Sequence, residues 1–127
     1  MVTLLAAGGA EAAEASWGFR WKAPDACIGP AELSSRVEKR LGRSVFGLKP
    51  DYRIDGVMEE GTSPRWKARV TVVSAAGDVL GSREVTGDGS CRALDDRLAF
   101  VVATSIEQNP APPEAAVPIT HEGGFDA

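Results

Sequence analysis

Aromatic residues alternate with small or cationic ones from Ser16 to Lys22, where Trp17, Phe19 and Trp21 are separated by Gly18 and Arg20. Successive side chains of a strand face opposite ways, so the three rings share one face and the segment predicts a strand. Pro24, which has no N–H for a ladder, ends it. Gly29-Pro30 then opens a helix, because a proline at the first helical position sacrifices no hydrogen bond. Leu33, Val37 and Leu41 recur at i, i+4 and i+8 as a narrow apolar stripe. Glu32, Arg36, Glu38, Lys39 and Arg40 cover the wet side, and Gly42 is a natural left-handed stop.

Three extended segments follow. Tyr52-Arg53-Ile54-Asp55 alternates and runs on into Gly56-Val57-Met58. After the polar turn Glu59–Pro64, Trp66, Ala68, Val70 and Val72 face one way, and Lys67, Arg69 and Thr71 the other. Ala76-Gly77-Asp78 makes a tight turn into Val79–Val85, completing a meander. Gly87-Asp88-Gly89-Ser90 punctuates, with the Ser90 hydroxyl placed to cap a final helix from Cys91 to about Gln108. That helix sets Cys91, Leu94, Leu98, Val101, Val102 and Ile106 on one apolar face. The order β-α-β-β-β-α predicts an α+β fold, a mostly antiparallel four-stranded sheet with two helices on one face. Whether the first strand pairs with the second or with the fourth is left open by the pattern.

Composition sets the boundaries of this domain. The 127 residues, 43% of them apolar, suit one globular unit. Residues 1–15 are small and apolar, and Ala13-Glu14-Ala15 before Ser16 has the A-x-A form that signal peptidase reads. The segment lacks a basic start, so it reads as a signal-peptide remnant whose beginning lies upstream of Met1. A flexible Ala/Gly arm on a cytoplasmic protein is the alternative. Residues 16–108 form the domain, and 109–127, with Pro110, Pro112 and Pro113 closely spaced, read as a Pro-rich disordered tail. No stretch approaches the ~20 apolar residues of a membrane span. The net charge of −4 argues against a general nucleic-acid binder.

Cys27 and Cys91 are the two cysteines of the chain. Their spacing is unlike a C-x-x-C redox pair, and His121 is the one histidine available to a zinc site. In an exported protein an even cysteine count favours a structural disulfide; in a cytoplasmic one the two would be buried free thiols. With the export reading, a structural Cys27–Cys91 disulfide joining the starts of the two helices is the expectation, although sequence does not measure the distance.

Candidate chemistry is sparse. Trp17, Phe19 and Trp21, with Trp66, offer a possible stacking platform for a glycan or peptide, but the favoured reading is that they form the core beneath both helices. Arg53, Lys67 and Arg69 offer a possible basic sheet face, within a region from Arg36 to Arg69 that carries nine Lys/Arg against five acids. A charged outer sheet face also needs no partner. Gly87–Ser90 lacks the length and lysine of a phosphate loop and is expected to be a plain turn. Asp95-Asp96 reads as a solvated pair, since adjacent helical residues do not face each other. No catalytic relay, metal ligand set or cofactor motif stands out, and the expectation is a protein that is not an enzyme and carries no cofactor. A small enzyme would need a pocket lined by Asp55, Asp88 or Asp95.

The run Trp21-Lys22-Ala23-Pro24-Asp25-Ala26-Cys27, with Cys91-Arg92-Ala93-Leu94 opening the last helix, resembles the W-x-A-P-x-x-C … C-x-x-L pattern of uncharacterised envelope domains of myxobacteria and related deltaproteobacteria. The likeness spans about residues 16–108. It departs in carrying its proline later, at Pro30, and in lacking a second segment beyond the tail. The resemblance implies a periplasmic or extracellular location and paired cysteines, and no activity. The expected function is a non-enzymatic envelope module that binds a protein or a cell-wall polymer. The alternatives are a small enzyme, or an anion or nucleic-acid binder acting through the basic sheet face.

Overall fold

Tyr52, Ile54 and Met58 alternate with polar or half-exposed neighbours because only one side of their strand is covered. That side faces two helices. The computed structural model describes residues 14–109; residues 1–13 of the expected leader and 110–127 of the expected tail lie outside the described residues. Strands β1 (Trp17–Lys22), β2 (Tyr52–Glu60), β3 (Trp66–Ser74) and β4 (Val79–Gly87) form one sheet in the order β1-β2-β3-β4. β1 runs parallel to β2, and the other pairs are antiparallel. The pairing left open by the sequence is thereby resolved. A parallel neighbour needs a crossover, and α1 (Pro30–Leu41) supplies it.

α1 begins at Pro30 and ends where Gly42 takes a left-handed φ of 77°, its N–H donating to the Glu38 carbonyl at 2.8 Å. Leu33 and Val37 are fully buried and Leu41 partly so. The second helix differs from its expected form. It opens as a 3₁₀ turn over Cys91–Leu94 and becomes α2 only from Asp95 to Glu107. Ser90 takes the extended cap conformation, but its hydroxyl makes no capping bond. The Ser90 carbonyl instead accepts from Ala93 N–H at 3.1 Å, the short repeat of a 3₁₀ turn.

Leu94, Leu98, Val102 and Ile106 join Trp17, Ile54, Ala68 and Val70 in one continuous core between the helices and the sheet. Cys27 and Cys91 are both buried and form a disulfide, with Cα atoms 5.5 Å apart. It links the loop before α1 to the first residue of the 3₁₀ turn, across a sequence separation of 64. No helix among the described residues is long and apolar enough to cross a membrane.

The two edges of the sheet are treated differently. At β1, Trp17 N–H donates to the Val45 carbonyl and Gly47 N–H to the Trp17 carbonyl, both at 2.9 Å, so the segment after α1 covers the start of that edge. β4 has no such cover among the described residues, and of its nine residues only Val85 is buried.

Candidate functional site

The four aromatic residues of the expected stacking platform are placed in the core. Trp17, Trp21 and Trp66 are 1%, 9% and 6% exposed, and Phe19 is half-buried against Phe46 with ring centroids 5.3 Å apart. Trp17 stacks on Tyr52 at 4.8 Å, and the Trp21 indole N–H donates to the Ile28 carbonyl at 2.8 Å. The three indoles are enclosed by protein, and Phe19 alone of the four keeps part of its ring in solvent. The reason is volume: two helices over one sheet face need large side chains beneath them.

Arg53, Lys67 and Arg69 do share the open sheet face, as their register opposite Val73, Glu59 and Val57 requires. The face is nonetheless mixed in sign. Arg53 makes a bidentate pair with Asp55 at 2.6 and 3.0 Å, and Arg69 meets Glu84 at 3.0 Å. The Arg53 guanidinium is held above its ordinary pKa chiefly by the hydrogen bond to Asp55, and Arg92 likewise by its bond to Asp95. A cation whose folded pKa is raised adds stability that is complete below its unfolded pKa and fades only as pH rises through the folded one. For arginine that window lies far above neutrality, so the raised values of Arg53 and Arg92 add no pH dependence to stability near neutral pH.

The three carboxylates named for an enzyme stand apart in the fold. Asp55 lies on the open sheet face under Arg53, and Asp88, just past β4, accepts from Arg65 N–H at 3.1 Å. Asp95 corrects the expectation of a solvated pair: it is 5% exposed, whereas Asp96 is open to solvent. Arg92 Nε donates to Asp95 Oδ2 at 2.8 Å, Arg92 also reaches Glu32 at 2.7 Å, and Arg36 spans Glu32 and Asp96. This network ties α1 to the start of α2 beside the disulfide, with Asp95 Oδ1 left without a protein partner. The i, i+4 spacing of Glu32 and Arg36 and the i, i+3 spacing of Arg92 and Asp95 were its sequence signals. The bond between Glu32 and Arg92 had none, because it depends on how the helices meet.

A feature the sequence did not single out is the cleft beside β4. It has a volume of about 280 Å³ and lies between the first half of the strand and the end of α2. Val70, Val72 and Leu80 contribute apolar surface, and Arg83, Gln108 and Ser105 form a polar rim. The Arg83 guanidinium donates to Gln108 Oε1 at 2.9 Å and has no carboxylate partner among the described residues. Val79 and Leu80 are 66% and 50% exposed, a large apolar surface for a strand end. Open backbone along an edge strand, an apolar floor and one unneutralised cation are the elements by which an extended chain is recognised. A scan against protein-family models and a search of curated proteins return no match for this chain.

Proposed function

We propose that the protein is a non-enzymatic module of the bacterial envelope, periplasmic or extracellular, that binds another protein along β4. The disulfide supports the location, because such bonds persist in oxidising compartments and are rare in the cytosol. The A-x-A sequence before Ser16 and the likeness to myxobacterial envelope domains point the same way. The observation that carries the binding role is the cleft beside the open β4 edge. Its occupant is an extended segment of a partner, hydrogen-bonded to the β4 backbone, with apolar side chains at alternate positions and a carboxylate facing Arg83. A cell-wall polymer fits less well, since the aromatic rings that would stack on sugars are buried.

The test uses the oxidised full chain against a displayed library of linear peptides, a panel of purified envelope proteins and soluble cell-wall fragments. Bound peptides are expected to alternate apolar residues around at least one acid and to shift the backbone NMR signals of Val79–Thr86. Arg83→Glu is expected to weaken them at least tenfold. Binding of wall fragments alone, or a dimer of the chain that forms through β4, would overturn this reading.

A further inference from the structure

We infer that hydrolysis of the Ala15–Ser16 peptide bond produces the mature protein, and that Asp51 is the receptor for the new amino terminus. Three observations meet at Ser16. First, Ala13 and Ala15 supply the small residues that a signal endopeptidase reads, and cleavage falls directly before Ser16. Second, the Ser16 backbone nitrogen already lies 2.9 Å from Asp51 Oδ2. Third, Ala15 only packs against the core, whereas Ser16 is held by hydrogen bonds from both its side chain and its backbone. Its hydroxyl donates to the Lys49 carbonyl at 2.7 Å, and its own carbonyl accepts from Asp51 N–H at 2.9 Å and Tyr52 N–H at 3.3 Å. β1 starts at the next residue.

In the hydrolysis, water adds across the amide, the C–N bond breaks, Ala15 leaves as a carboxylate and Ser16 keeps the nitrogen as an ammonium. The nitrogen that donated as a neutral amide then donates as a cation, from the same place, to a carboxylate already in position. Charge-assisted hydrogen bonds are about twice as strong as neutral ones. Cleavage would also remove Glu14, which lies 3.9 Å from Arg43, so the mature protein exchanges a long ion pair for a short one. The half-buried setting of Ser16 and Asp51 screens the new pair less than an open surface would.

This inference rests on the export reading, and the test separates the two. Intact-mass measurement of the protein recovered from fractionated native cells is expected to show an extracytoplasmic chain starting at Ser16. An extracytoplasmic chain starting elsewhere would overturn the inference and leave export standing. A cytoplasmic chain retaining residues 1–15 would overturn both. The role of Asp51 is read from Asp51→Asn, which preserves the acceptor but removes the charge. In the processed chain this change is expected to lower the folded-to-unfolded ratio about fivefold, and in the unprocessed chain less than twofold. Equal losses in the two chains would show that Asp51 does not receive the amino terminus.

Discussion

Gly56 shows how one residue type can be dictated from across a sheet. It pairs with Trp21, and a Cβ added there would lie 2.5 Å from the indole Cε3. The ring is held by its N–H bond to the Ile28 carbonyl and by the helices above, so it has little freedom to retreat. Gly56→Ala is expected to destabilise the protein by about 1–3 kcal/mol, the range for overpacking a core. The measurement is the midpoint of urea unfolding at unchanged slope; an unchanged midpoint would show that the indole shifts freely. The sequence gives no reason for a glycine at position 56, because that reason belongs to β1, more than thirty positions away. Trp21 itself was legible as a strand residue of one face. Whether that face was core or platform was not, since alternation gives the side a ring shares and says nothing of what covers it.

Among elements, the helices and the meander were readable from period alone. Pro30, the stripe of Leu33 and Val37, and Gly42 set α1, and Trp66 to Val73 set β3 by strict alternation. The start of the second helix was misread, since Ser90 offers a capping hydroxyl that the 3₁₀ turn does not use. The cover of the β1 edge was invisible for a different reason. It depends on Glu38, whose Oε2 accepts from Val45 N–H at 2.8 Å and Phe46 N–H at 3.1 Å. In sequence Glu38 is one more acid on a wet helix face. Glu38→Ala should leave both amides without their acceptor and cost about 1.5–3 kcal/mol, as for bonds to charged groups. Hydrogen exchange at Val45 and Phe46 is expected to accelerate, whereas α1 amides should keep their protection. Unchanged exchange there would mean that the Trp17 contacts alone hold the segment on β1.

At the scale of the whole molecule, the disulfide and the charge network beside it fasten both helices at one end of the sheet, and the opposite edge is left open. In the chain-entropy model, a bridge over 64 positions restrains the unfolded chain by roughly 4 kcal/mol, much of the stability a domain this small has. Such bonds persist in oxidising compartments, and on the proposed placement in one of them both the binding role and the maturation at Ser16 depend. The redox state of Cys27 and Cys91 in fractionated native cells, trapped by alkylation before any reduction, tests this most directly. The protein is expected to be extracytoplasmic and to take up no alkylating label until it is reduced, and then to take up two. A cytoplasmic protein with both thiols labelled at the outset would contradict it.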